Sequence, residues 1–242
     1  MPPCWWHIFC DKRRNVLRKL TKRQKRKLKA YIRAYIARFI AFCIVASLFA
    51  GAFLIVRTIV KGKRVYEKPE MTLDLLPVNP YSRPGEVLAE VNNVFVHYTA
   101  NPGTSASQNR SYFANLAQTG ETSASAHFII GYEGEIVQCI PLEEIGYAVK
   151  GRNYDSVSIE CCYIDESGKF TDETYHSLFR LVSWLLGKYE LDESDVKRHY
   201  DEGGKNCPKY YVENEKEWER LIGDLKQYIK ENGTYIQPKE VD

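Results

Sequence analysis

The stretch "AHFIIGYEGEIVQCIP", residues 126–141, sets the frame for the whole chain. It holds two short apolar runs on either side of Glu133-Gly134, which reads as strand, turn, strand. A lone hairpin is at best marginally stable in water, so these strands need partners. Upstream, "NNVFVHYTA" (92–100) reads as a short buried strand ending at His97. Downstream, "SVSIECCYI" (156–164) alternates as a strand does, with Val157, Ile159 and Cys161 on one face. Helical patterns stand between and after them. "SQNRSYFANLAQTG" (107–120) has Tyr112, Phe113 and Leu116 at helical spacing and closes on Gly120, a C-cap signal. "TYHSLFRLVSWLLGKYEL" (174–191) carries an apolar stripe of Leu178, Leu181, Val182, Leu185 and Leu186, and "EWERLIGDLKQYIK" (217–230) forms a terminal helix. Strands interleaved with helices specify an α/β domain, a mixed central β-sheet flanked by helices.

The chain has 242 residues, enough for one good-sized domain and an appendage. Its net charge of +3 conceals a split. Of 34 Lys/Arg and 31 Asp/Glu, residues 1–64 hold 17 basic side chains and one acid, Asp11, leaving 17 basic and 30 acidic in residues 65–242. Between Arg38 and Arg57 runs "FIAFCIVASLFAGAFLIV", 18 residues without a charge. At ~1.5 Å per residue it covers about 27 Å, close to the roughly 30 Å hydrocarbon layer of a bilayer. The run has no polar face, unlike a core helix, and the basic region before it is too long for the n-region of a signal peptide. We therefore expect residues 1–37 to be a basic cytoplasmic arm and 38–60 a transmembrane signal anchor preceding the domain. Residues 61–88 read as a linker with Pro69, Pro77, Pro80 and Pro84, residues 89–235 as the folded domain, and 236–242 as a tail. The excess of Lys/Arg before the span puts the N-terminus in the cytoplasm and the acidic part outside. The basic cluster is accounted for by anionic lipid headgroups, so no nucleic-acid partner is expected.

The segment "RHYDEGGKNCP" (198–208) concentrates His199, Lys205 and Cys207 in a Gly-rich loop. A catalytic zinc site needs three protein ligands and an open position. His97, at the end of its strand, is the third candidate, and His127 competes with it. His7 falls in the cytoplasmic arm and His176 on the polar side of its helix. The bare His-x₇-Cys spacing is a weak signal by itself. Cys161 and Cys162 are strand neighbours facing opposite sides, so one can pair with Cys139 in a disulfide or all three can stay reduced.

Four motifs occur in order between about Leu76 and Ile229: "VFVHYTANP", "SASAHFIIGYEGEIVQCIPL", "NYDSVSIECCYIDESGKFT" and "VKRHYDEGGKNCP". Together they resemble the zinc-dependent N-acetylmuramoyl-L-alanine amidases, whose fold is shared with peptidoglycan recognition proteins. The resemblance implies that His97, His199 and Cys207 bind Zn2+, that Glu160 is the catalytic acid and that Lys205 is the catalytic lysine. It implies His127, Tyr98 and Asn153 as substrate-binding residues. The implied substrate is peptidoglycan, cut at the amide between N-acetylmuramic acid and the L-alanine of the stem peptide. The chain departs from the family pattern at Tyr147 or Ala148, where many members have histidine, at Lys209 after "C-P", and at Ser158 where glycine is common. None of these removes a metal ligand. The alternatives are a non-catalytic peptidoglycan-binding module, which typically lacks the cysteine ligand, and a phage-type endolysin with a releasable anchor.

Overall fold

In the computed structural model the described residues are 21–60 and 64–235. Two compact units are present, residues 1–62 with the extreme C-terminus, and residues 63–236. Among the described residues the first contains one helix, α1 (Lys22–Val60), of 39 residues. Thr21 caps it: Oγ1 accepts from Gln24 N–H at 3.3 Å while Gln24 Oε1 accepts from Thr21 N–H at 2.9 Å. By length and composition the helix can cross a membrane. No break occurs at the expected boundary between arm and span, because Lys22–Arg38 is itself built of good helix formers. Residues 1–20 and the expected tail at 236–242 lie outside the described residues.

The second unit runs β1 (Arg64–Val65), β2 (Thr72–Leu73), β3 (Asn93–Tyr98), α2 (Ala106–Thr119), β4 (Phe128–Ile130), β5 (Ile136–Gln138), β6 (Ser156–Cys161) and α3 (Asp172–Tyr189). It continues through β7 (Val196–Arg198), α4 (Lys209–Glu213), α5 (Glu215–Asn232) and β8 (Thr234–Tyr235). Six strands form a mixed sheet in the order β2-β5-β4-β6-β3-β7, in which only the β4–β5 hairpin is antiparallel. β1 and β8 pair separately, Arg64 against Tyr235 and Val65 against Thr234. The fold expected from the sequence is thus the one observed. Gly120, as anticipated, ends α2 in the left-handed region at φ 61°.

Alternation sorts the strand residues onto two faces. Val94, Val96, Phe128, Ile130, Val157, Ile159 and Cys161 face one way, into a core completed by Leu178, Leu181 and Leu185 of α3 and Trp218, Leu221 and Leu225 of α5. On the other face, Ile129, Val137 and Cys139 pack under Phe113 and Leu116 of α2 and under Leu76. That second cover reaches only the β5–β4 part of the sheet. Over β6, β3 and β7 the same face carries Phe95, His97, Ser158 and Glu160 instead. Cys139, Cys161 and Cys162 are buried and free, which decides the open question of pairing.

The expected linker needs correction. Residues from about 72 to 88 are a strap sewn onto the domain, not a tether. β2 extends the sheet beside β5, and the fully buried Leu76 donates its N–H to Cys139 O at 2.9 Å. Arg83 grips Glu144 with Nε and Nη2, both at 2.7 Å, and donates from Nη1 to Leu76 O at 2.6 Å. That pairing holds the Glu144 carboxyl below its ordinary range. The prolines break any period in this stretch, while its anchoring apolar residues are too widely spaced to form one.

Candidate active site

Parallel strands bring residues distant in sequence to one edge of the sheet. In register, His97 of β3 lies beside Glu160 of β6, and Val96 beside Arg198 of β7. His199, the residue after β7, therefore stands next to His97. It opens a 3-10 turn, His199–Asp201. Arg198 fixes that turn from below: its side chain is 6% exposed, bonded to Asp201 at 2.8 Å, Glu215 at 2.6 Å and Tyr211 O at 2.9 Å, and stacked on Trp218. The sequence reading gave Arg198 no role, although an arginine before a turn with an acid three residues on is a usable signal.

After the turn the chain reverses through Gly203 and Gly204, at φ 93° and 77°. Both lie in the left-handed region with open space around them, so glycine is required there for conformation and not for room. Tyr200 N–H donates to Cys207 O at 3.0 Å, closing the loop and returning Cys207 beneath His97. His97 Nδ1 is then 3.2 Å from His199 Nδ1 and 3.6 Å from Cys207 Sγ. All three donor atoms lie within 4.8 Å of one another. With Zn–N of about 2.0–2.1 Å and Zn–S of about 2.3 Å, tetrahedral ligands sit roughly 3.3 Å apart N to N and 3.6 Å N to S. The donor set fits zinc.

The electrostatics agree. His97 is held well below the usual imidazole range by burial, then by His199 and Lys205, and His199 is lowered to about 4 by burial and then Lys205. Both rings are therefore neutral near pH 7, the form that ligates a metal. The Cys207 thiol is pushed up to about 12 by burial and then by Glu160, against the pull of the Tyr98 backbone N–H and Lys205. A coordinated divalent cation reverses that preference and makes the thiolate. Glu160 is raised to about 8 by burial, opposed by Lys205, and its buried Oε2 has no hydrogen-bond partner among the described residues. Lys205 is exposed on the loop, and its charge is felt by His97, His199, Glu160 and Cys207.

The remaining candidates divide. Tyr98 follows His97, stacks on Tyr163 at 5.4 Å between centroids, and has its phenol raised by burial, then by Cys207, Glu213 and Glu160. It is half-buried at the margin of the cluster. His127, expected to contact substrate, is held inside the fold. This residue is 1% exposed, its Nδ1 accepts from Ser158 N–H at 3.1 Å, and its Nε2 meets Glu144 O at 2.9 Å. Both ring nitrogens are engaged by the protein itself, so His127 ties β4 to β6 and to the Glu144 segment. Asn153 is likewise engaged, its Oδ1 accepting from Ala148 and Val149 N–H at 3.1 and 2.8 Å. His176 is exposed on α3, and His7 lies outside the described residues.

Comparison with known proteins shows the family. The chain is 34% identical over 164 residues to N-acetylmuramoyl-L-alanine amidase BlyA of Bacillus subtilis, covering 59% of this chain and 43% of that protein. It is 31% identical over 180 residues to a probable N-acetylmuramoyl-L-alanine amidase of Bacillus licheniformis, covering 69% and 48%. The chain thus spans less than half the length of these relatives. Among solved structures, the catalytic domain of XlyA superposes with a TM-score of 0.55 at 25% identity, covering 65% of this chain and 99% of that one. A family model described as N-acetylmuramoyl-L-alanine amidase matches residues 88–210, from the strap's last buried leucine to just past Cys207. This chain belongs to the N-acetylmuramoyl-L-alanine amidase family.

Proposed function

We propose that the chain is a membrane-anchored peptidoglycan hydrolase that cuts the amide between N-acetylmuramic acid and the L-alanine of the stem peptide. The observation that carries this reading is the convergence of His97 Nδ1, His199 Nδ1 and Cys207 Sγ beside the half-buried Glu160. These three residues would hold Zn2+, which when bound lowers the pKa of a water ligand to ~7 and so supplies a nucleophile at neutral pH. Glu160 is raised to about 8 by burial, and a bound divalent cation would draw it back to the carboxylate near neutral pH, which suits general acid–base work. Its carboxylate takes the proton of the attacking water and then hands it to the departing alanine nitrogen. Lys205 places a cation beside the scissile carbonyl, where negative charge develops in the transition state. Tyr98 supplies an aromatic wall next to the ligands. Asn153 shapes the cleft through its backbone contacts.

The apolar helix supports anchoring, and the Lys/Arg excess ahead of residue 39 favours an N-terminus inside the cell and the amidase domain outside, facing the wall. The full chain in detergent, wild type beside Cys207→Ala, tests the reading by metal content and by new L-alanine amino termini released from peptidoglycan. One zinc per wild-type chain with release of those termini, both lost in the variant, is the expected result. Zinc without new termini would make the domain a binding module.

A further inference from the structure

α1 contains two different patterns. From Phe39 to Val56 it is apolar all round, as a span should be. From Lys22 to Arg38 it is one-sided. At ~100° per residue, Leu28, Tyr31, Ile32, Tyr35, Ile36 and Phe39 fall within an arc of about 140°. The eight Lys/Arg of residues 22–38 occupy the rest, Lys25 alone falling inside that arc near its edge. All six apolar side chains are exposed on a helix that carries no acidic residue. At ~1.5 Å per residue α1 is about 58 Å long, nearly twice the roughly 30 Å hydrocarbon layer. A span over 39–56 therefore leaves a helical, half-apolar segment outside the bilayer core, its stripe uncovered among the described residues.

We propose that residues 22–38 are a second membrane-contacting element, an amphipathic helix that lies on anionic lipid headgroups and buries its Leu28–Ile36 stripe at their edge. The occupant is chosen by charge. Between Asp11 and Glu67 the chain has no acid, so a second copy docked along the stripe would set cation against cation with nothing to neutralise them. An anionic lipid surface satisfies both faces at once, and Tyr31 and Tyr35 suit the headgroup zone, where amphipathic rings collect. Lying on the surface requires this helix, continuous through Arg38 here, to bend at the bilayer where the one-sided pattern gives way to the all-round one. This inference rests on reading 39–56 as the span.

The full chain is reconstituted into neutral phosphatidylcholine vesicles, with or without added phosphatidylglycerol. A genetically encoded environment-sensitive fluorophore replaces Ile32 or, on the charged side, Lys29. The expected result is a blue shift at position 32 only in phosphatidylglycerol vesicles, with position 29 unshifted. Replacing Arg23, Arg26, Lys27 and Arg33 by Gln abolishes the lipid-dependent shift, each charge being worth roughly fivefold in surface association. A shift in neutral vesicles that grows with protein-to-lipid ratio assigns the stripe to a second copy and overturns the proposal. So does a shift that appears only when duplex nucleic acid is added. Alkaline washing reports the anchor separately. A chain washed off the vesicles overturns the span and the surface helix together, whereas a retained chain with position 32 in water overturns the surface helix alone.

Discussion

One face of the sheet is built in two ways. Over β5 and β4 it is roofed by α2 and Leu76, and the side chains beneath, Ile129, Val137 and Cys139, are apolar and sealed. Over β6, β3 and β7 no helix among the described residues lies on the same face, which carries His97 and Glu160, with Arg152 over Phe95. The two halves share strands, hydrogen-bond ladders and a common floor of α3 and α5, so backbone geometry does not distinguish them. What differs is the length of the cover. α2 stops at Gly120, and the chain then returns to the sheet as β4, leaving the other strands to the segment around Arg152 instead of a helix. A binding cleft here is a face left unroofed, and the polar residues on it are tolerable because they have one another, solvent or an ion to meet.

This contrast can be broken at both ends. The largest expected effect is on the open half: Glu160→Gln should lower amide hydrolysis by about 10²–10⁴ while zinc content stays at wild type. Loss of zinc in that variant would instead make Glu160 a support for the ligands. Lys205→Ala should cost about 10²–10³ in turnover with little change in thermal midpoint, since the residue lies exposed on its loop. On the roofed half the pattern inverts. Leu116→Ala removes a fully buried side chain and should cost about 3 kcal/mol of stability in a denaturant titration. Its activity per folded molecule should match wild type.

A smaller effect sharpens the boundary between the halves, where His127 sits. Its folded pKa of about 4, lowered chiefly by burial, lies below the ordinary value of 6.5. Between those values the unfolded chain takes up a proton that the folded one refuses, so stability falls as pH drops from about 6.5 to about 4 and then levels off. The expected loss is on the order of 2–3 kcal/mol. It is measured as the difference in urea midpoint between pH 7 and pH 4.5 for zinc-free wild type, set against the same difference in His127→Gln. An equal pH sensitivity in the two proteins would show that His127 is not the group responsible.

Much of this was legible in sequence, and the remainder was hidden for physical reasons. The hairpin at 126–141 and the stripe on α3 announce themselves because a repeating period encodes a buried face, and Leu178, Leu181, Val182, Leu185 and Leu186 are all buried. His97, His199 and Cys207 stood out as residue types, but their meeting depends on parallel pairing of β3 with β7, a non-local event that local spacing does not report. The strap was missed because β2 is two residues long, too short for alternation to show. His127 poses a related problem: a histidine in an apolar run looks the same whether its ring faces a cleft or is clamped between Ser158 and the Glu144 carbonyl.

The pairing of β1 with β8 has a consequence of its own. Hydrogen-bonded strands lie only about 4.8 Å apart, so the amidase domain's first and last described strands lie side by side. A unit with adjoining ends behaves as a cassette. It can be spliced into a surface loop of an unrelated protein without prising that loop open, or re-cut so that its old ends are joined and new ones open elsewhere. Its fold is therefore indifferent to whether it follows an anchor, precedes another module or sits inside one.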